Sequence, residues 1–157
     1  MMVRTDARDW LQALRAYGAT LLVGNLSWEI AQLPLYRLWD TGTTREIALA
    51  VAHCTAGDLL IGMAALVLAL IIAGDSGWPQ RGCLRIALSA LLLGVLYTLY
   101  SEWLNVEVRG TWQYAALMPR LPGLGTGLAP LAQWVVVPAL ANWRVARRCA
   151  HLGRAVK

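Results

Sequence analysis

Four ionisable side chains stand among residues that are mostly apolar: Glu29, His53, Asp58 and Glu102. If these segments are membrane-spanning helices, an acidic residue at a helix centre costs about 2.5 to 3.5 kcal/mol. Carboxyl and imidazole groups kept in such surroundings are candidates for acid–base chemistry. We therefore interpret Glu29 and Glu102 as a candidate acid–base pair and His53 as a proton shuttle. Asp58 would orient His53 or stabilise developing positive charge.

Polar residues near these groups recur at helical spacing. One such series is Asn25, Glu29, Gln32 and Tyr36. A second series is Gly94, Thr98, Glu102 and Asn105, with Tyr97 beside it. Spacings of three and four residues place side chains on one stripe of a helix, and such a polar stripe is not expected to face lipid. The residues expected to contact a substrate are Asn25, Gln32, Tyr97, Asn105 and Gln133.

His53 and Asp58 belong to a third segment and lie about 140° apart around an ideal helix. The two side chains are therefore expected to face different neighbours. Gln133 belongs to a fourth segment, close to Pro130, where a kink is expected.

The composition indicates what kind of element carries these residues. Of 157 residues, 58% are hydrophobic and only 15% are charged, and the mean hydropathy is +0.50. These values favour a polytopic membrane protein over a soluble or disordered chain. A span needs roughly 20 apolar residues, which predicts an all-α fold with one integral membrane domain over residues 1–157. The predicted spans are 17–36, 47–73, 86–104 and 128–143.

Two boundaries have specific signals. Thr43 and Glu46 have the spacing of a capping box, which predicts that the second long helix begins there. Residues 1–15 alternate charged and apolar side chains and predict a separate helix lying in the membrane interface. The predicted architecture is thus a four-helix transmembrane bundle with an interfacial N-terminal helix.

The basic residues predict the orientation of the bundle. Four crossings place ten of the 14 Lys and Arg residues on one side, and the positive-inside rule makes that side cytoplasmic, with both termini. Except in the C-terminal tail, the basic residues are scattered singly, and no stacking aromatic residues lie among them, which argues against a nucleic-acid-binding class. Tryptophans fall at the predicted span ends, as in an interfacial aromatic belt: Trp39, Trp78, Trp103, Trp112 and Trp143.

Depth and topology together predict a site. Glu29, His53 and Glu102 would all lie in the outer half of the membrane, with Asp58 near its midplane. We expect a polar cavity that opens to the exterior and is roofed by residues 106–127. We expect no metal ion, because metal-ligand spacings such as H-x-x-x-H or CxxC are missing, and no cofactor. The cysteines Cys54, Cys83 and Cys149 have no pair spacing and predict no disulfide.

Four segments carry a resemblance: residues 25–36 (NLSWEIAQLPLY), 53–58 (HCTAGD), 101–106 (SEWLNV) and 118–134 (MPRLPGLGTGLAPLAQW). They resemble segments of small, uncharacterised bacterial multi-pass membrane proteins. The resemblance implies a bacterial inner-membrane protein and implies no activity.

Three functions follow from the residues. The first is a membrane-embedded enzyme that uses carboxylate and histidine acid–base chemistry on a lipid or a lipid-soluble small molecule. The second is a small proton- or cation-coupled transporter that would work as a homo-oligomer. The third is a non-catalytic accessory subunit whose polar stripes bind a partner helix.

Overall fold

The computed structural model describes residues 7–73 and 77–155, with side chains described as far as Arg148. Most of the described residues are helical and none of them forms a β-strand, which confirms the all-α prediction. The long helices are α1 (Ala7–Gln32), α3 (Thr44–Ala73), α4 (Cys83–Glu102) and α5 (Leu128–Ala155), and α2 (Leu38–Thr41) is a single short turn. Predictions for Arg4, Lys157 and the side chains of Cys149 and Arg154 lie outside this description.

The first helix differs from its prediction at both ends. Ala7–Gln32 is one continuous helix, so no break separates an interfacial segment from the first span. Helix α1 ends at Gln32, and Leu33–Leu35 form a 3₁₀ turn that contains Pro34. Proline lacks an N–H and restricts the residue before it, so the α-helix stops here and Tyr36 is not on its stripe.

Helix α3 begins where the capping box predicts. The Thr43 backbone N–H donates to Glu46 Oε2 at 2.8 Å, and the Glu46 N–H donates to Thr43 Oγ1 at 3.3 Å. This boundary is confirmed, because a cap depends only on residues next to one another in sequence.

Helices α4 and α5 both extend beyond their predicted ends. A π-helical segment, Trp103–Val108, continues directly from α4, whereas the predicted span ended at Leu104. Helix α5 begins at Leu128 as predicted, continues past Trp143 to Ala155 and contains Pro138.

The four long helices form a ring. Helix α1 packs against α3 and α5, and α4 packs against the same two helices, so α1 and α4 lie diagonally opposite. Glycines allow close approach: a Cβ at Gly62 would lie 2.6 Å from Leu21 Cδ1, and one at Gly94 would lie 2.5 Å from the Trp134 ring. Small residues at helix contacts are typical of membrane bundles.

One end of the bundle is packed with apolar side chains, and we call it the apolar half. Its centre is formed by Tyr17, Leu21, Leu66, Trp78 and Ile86. The aromatic-belt prediction is wrong for Trp78, which is 1% exposed and packs edge-on against Trp10 with ring centroids 4.9 Å apart. Trp39, Trp103 and Trp143 are exposed.

Two helical stretches, Thr44–Ala73 and Cys83–Val108, are long and apolar enough to cross a membrane. Their most apolar windows are only 22% buried, whereas the core helix of a soluble protein would be mostly buried. Leu84, Leu88, Leu92 and Leu96 form an exposed apolar stripe along α4. Leu60 and Ile71 are similarly exposed on α3. Such faces favour contact with lipid.

Candidate functional site

A pocket of about 490 Å³ occupies the other end of the bundle, which we call the polar half. All four ionisable residues singled out from the sequence line it: Glu29 from α1, His53 and Asp58 from α3, and Glu102 from α4. The expected substrate contacts Gln32, Tyr97, Asn105 and Gln133 line it as well. Four helices therefore bring these residues into one cavity, as the depth argument predicts.

Gln133 on α5 is the centre of a hydrogen-bonded cluster. Its side-chain nitrogen Nε2 lies 3.1 Å from Asn25 Oδ1, 3.1 Å from Glu29 Oε1 and 2.8 Å from Asp58 Oδ2. Gln133 is 2% exposed, so these contacts replace bonds to water. We call Asn25, Glu29, Gln32, Asp58 and Gln133 the Gln133 network.

Gln32 completes this network from α1. Its Nε2 donates to Glu29 Oε1 at 3.0 Å and to Gln133 Oε1 at 3.2 Å. Its own oxygen, Oε1, has no hydrogen-bond partner among the described residues. Exchanging the amide N and O of Gln32 would place oxygen against two acceptors, so its neighbours determine the orientation.

Asn25 is the one expected substrate contact that does not line the pocket. It is 3% exposed and holds Gln133 from below, so the structure places it in support of the site. The geometry therefore does not favour the prediction that Asn25 contacts a substrate directly.

Glu102 belongs to a second cluster, beneath the loop formed by residues 109–127. The Tyr114 hydroxyl donates to Glu102 Oε2 and accepts from the Gly127 N–H at 3.0 Å. Burial raises the pKa of Tyr114, and the hydrogen bond to Glu102 raises it further. The phenol therefore keeps its proton, and its donor role, through the physiological pH range.

The loop is attached to the segment that follows α1. The Arg37 N–H donates to the Gln113 carbonyl at 3.0 Å, and the Ala115 N–H donates to the Leu35 carbonyl at 2.9 Å. We call residues 109–127 the roof, because Arg109, Thr111 and Trp112 line the pocket. This arrangement agrees with the expected covering by residues 106–127.

His53 and Asp58 share the pocket but occupy different surroundings, as their angular separation predicts. Asp58 is partly buried against Gln133, whereas His53 is exposed. Tyr97 is also exposed, and Asn105 is partly buried within the π-helical segment. His53 and Tyr97 therefore belong to the pocket mouth.

Sequence reasoning missed several members of the site as functional residues. Tyr36, Cys54, Ser101, Arg109 and Trp134 line the pocket, and Tyr114 binds Glu102. Ser101 and Trp134 are sequence neighbours of Glu102 and Gln133, which were predicted as site residues, so their position in the sequence could have identified them. Tyr114 offered none, since its position depends on the path of an irregular loop.

The site carries three carboxyl groups and one guanidinium. Among the residues that the structure describes, no group of three His, Cys, Asp or Glu side chains is arranged to hold a metal ion. The donors and acceptors present suit hydrogen bonding and proton transfer. Comparison of the chain with family models, with curated proteins and with solved structures gives no match.

Proposed function

We propose that all four long helices span a membrane as one bundle. Helices α1 and α5 carry more polar residues than α3 and α4, but their outer faces are also apolar. Val23 and Ile30 on α1 are 64% and 55% exposed, and Leu140 on α5 is 50% exposed. The polar residues that lower their hydropathy point inward, to the Gln133 network, so they need not contact lipid.

We place the bundle in a bacterial inner membrane, with the apolar half toward the cytoplasm. Arg8, Arg15, Arg81, Arg85, Arg144, Arg147 and Arg148 belong to that end of the chain's helices. The opposite end carries Arg37, Arg45, Arg109 and Arg120. By the positive-inside rule, the pocket then opens toward the periplasmic side and both termini are cytoplasmic.

The function that this geometry supports best is a membrane-embedded enzyme performing acid–base chemistry on a lipid or lipid-soluble small molecule. The observation that carries the proposal is that Glu29, Asp58 and Glu102, from three helices, line one pocket. Apolar residues such as Leu33, Val51 and Ile61 line the same pocket. Mostly apolar pockets with a few converging polar groups are typical of small-molecule sites.

The carboxyl groups divide into two sets that suit a proton transfer. Glu29 and Asp58 share the Gln133 amide, while Glu102, at the end of α4, is held by Tyr114 of the roof. In the proposed reaction, one set removes a proton from the bound molecule and the other returns one. His53 at the mouth would exchange protons with the aqueous phase.

Two features favour an enzyme over the other functions. The polar stripes are buried inside the bundle, as Gln32, Thr98, Glu102 and Gln133 show, whereas an accessory subunit would present them to a partner. The pocket lining stops at Ile61 on α3, and the packed core begins at Leu66. A transporter would need a path through that core.

The test is an untargeted activity assay on the purified full-length protein. The wild type in lipid nanodiscs is incubated with a total lipid extract of the expression host, and the extract is compared by mass spectrometry before and after. We expect at least one lipid-soluble species to be consumed and a product to form. Glu29→Gln and Glu102→Gln should each reduce turnover by about 10² to 10⁴-fold, as expected for loss of an acid or base.

Glu107→Gln is the matched control, because Glu107 is exposed and does not line the pocket. It should turn over the same species at the wild-type rate. An unchanged extract with correctly folded wild-type protein would contradict the enzyme, as would full activity in both pocket variants.

A further inference from the structure

The inner end of the pocket has more hydrogen-bond acceptors than donors. The Gln133 side-chain amide carries two protons, but three oxygen acceptors lie within 3.1 Å of its nitrogen: Asn25 Oδ1, Glu29 Oε1 and Asp58 Oδ2. Gln133 can give a well-aligned bond to two of them at one time, and Glu29 Oε1 also accepts from Gln32 Nε2. The N–H groups of both glutamine amides are therefore used within the network, and none is left over for a bound molecule.

A second, independent observation shows a shortage of hydrogen-bond donors at this end of the pocket. Gln32 is 5% exposed and lines the pocket, and its Oε1 has no hydrogen-bond partner within the described part of the chain. A buried acceptor without a donor costs about 1 to 3 kcal/mol. This oxygen therefore favours any bound molecule that brings a donor to it.

Apart from the three side-chain amides of Asn25, Gln32 and Gln133, the Gln133 network consists of the Glu29 and Asp58 carboxyl groups. Arg109, the guanidinium among the lining residues, comes from the roof and is exposed. A group that satisfies the inner end must supply several donors and tolerate nearby carboxyl groups. A primary ammonium supplies three donors and a positive charge.

We propose that the inner end of the pocket binds the primary ammonium group of an amphipathic amine, whose apolar part lies against Leu33, Val51 and Ile61. The amine donates to Gln32 Oε1 and to the Glu29 and Asp58 carboxyl oxygens. This assignment rests on the proposed function for the lipid-soluble character of the substrate and adds its chemical class.

The test compares four probes of equal chain length: octylamine, octanol, octanoate and octyltrimethylammonium. Binding to the full-length protein in nanodiscs is followed by tryptophan fluorescence, because Trp112 and Trp134 line the pocket. We expect octylamine to bind at least about tenfold more tightly than the other three. Hydrogen bonds to charged groups are worth a tenfold change or more, and the trimethylated probe keeps the charge but has no N–H.

Variants locate the contact. Gln32→Met removes the unpartnered oxygen, together with the Nε2 bonds to Glu29 and Gln133, with little change in shape. It should weaken octylamine binding about tenfold while changing octanol binding less than twofold. Gln113→Met is the control, because Gln113 lies on the roof, is exposed and accepts a hydrogen bond from Arg37. If Gln32→Met fails to fold, the wild-type ranking of the four probes still decides the proposal.

Equal binding of octylamine and octanol, or octylamine binding that Gln32→Met leaves unchanged, would overturn the ammonium site. The enzyme proposal fails separately. Consumption of a neutral lipid by wild type, without amine selectivity, would leave the enzyme standing and remove the ammonium assignment. Selective amine binding with no turnover of any species would support the ammonium site and contradict the enzyme.

Discussion

The two halves of the bundle use the same four helices in opposite ways. In the apolar half, the helices meet through side chains such as Leu21, Leu66 and Ile86, which are at most 1% exposed. In the polar half, they enclose a pocket and hold carboxyl and amide groups together. Helix α3 shows the change within a few residues, from Asp58 in the network to Leu66 in the core.

This difference indicates that the apolar half supplies most of the stability and the polar half supplies the site. Close-packed side chains gain dispersion energy over many contacts, whether lipid or water surrounds the helices. Buried polar groups stabilise only to the extent that each one finds a partner. A pocket bordered by incompletely paired oxygens can persist because the packing of the apolar half holds the helices in place.

The largest effect that would test this division is a truncation in the apolar half. Leu66→Ala should lower the free energy of unfolding by about 2 to 5 kcal/mol, because a fully buried leucine leaves a cavity between helices. Unfolding in detergent, followed by circular dichroism, measures it. Leu60→Ala is the matched control on the same helix: Leu60 is 71% exposed, and its loss should cost less than about 0.5 kcal/mol.

Equal losses in the two variants would contradict the picture of a packed core at one end and exposed leucines on the outside of the bundle. A small loss for Leu66→Ala alone would mean that the apolar half is not the main source of stability.

A smaller effect is expected in the polar half, and its sign depends on how the network is changed. Gln133→Leu removes the shared amide and leaves the Glu29 and Asp58 oxygens and Gln32 Nε2 with fewer partners. It should destabilise by about 1 to 3 kcal/mol. Replacing all five members of the network by leucine together should cost less than Gln133→Leu alone, because no polar group of the network is then left unpaired.

Thermal unfolding of the two variants in the same detergent makes the comparison. If the combined variant loses about as much stability as the sum of its single changes, the network stabilises the fold. The division between the halves would then be wrong.

Much of the site followed from spacing because helices repeat regularly. Glu29 and Gln32 face inward together, and Glu102 lies on the same inward stripe as Gly94, since each pair shares one unbroken helix. The start of α3 followed from Thr43 and Glu46 for the same local reason. The depth argument then needed only chain direction to bring Glu29, His53 and Glu102 to one end.

The errors lie where distant contacts decide the structure. Trp78 was expected in an aromatic belt, but it is buried against Trp10, about 70 residues earlier in the chain. The first 15 residues contain charges that suggested a separate interfacial helix, whereas from Ala7 onward they continue α1. Tyr114 reaches Glu102 through an irregular loop, and no periodicity encodes that path.

The smallest effect that we predict concerns the roof. Tyr114→Phe removes the hydroxyl that joins Glu102 to the Gly127 N–H, and it should lower the free energy of unfolding by about 0.5 to 1.5 kcal/mol. Because burial raises the pKa of Tyr114 above that of an unfolded tyrosine, the stabilisation is fully present below about pH 10. It is lost as the pH rises through the higher pKa of the folded state. The difference in free energy of unfolding between wild type and Tyr114→Phe should therefore stay constant from pH 6 to pH 9.

Urea unfolding at several pH values measures this difference. A gap that narrows already below pH 9 would show that the phenol ionises in the folded protein, and the roof would then not shield it as the geometry requires.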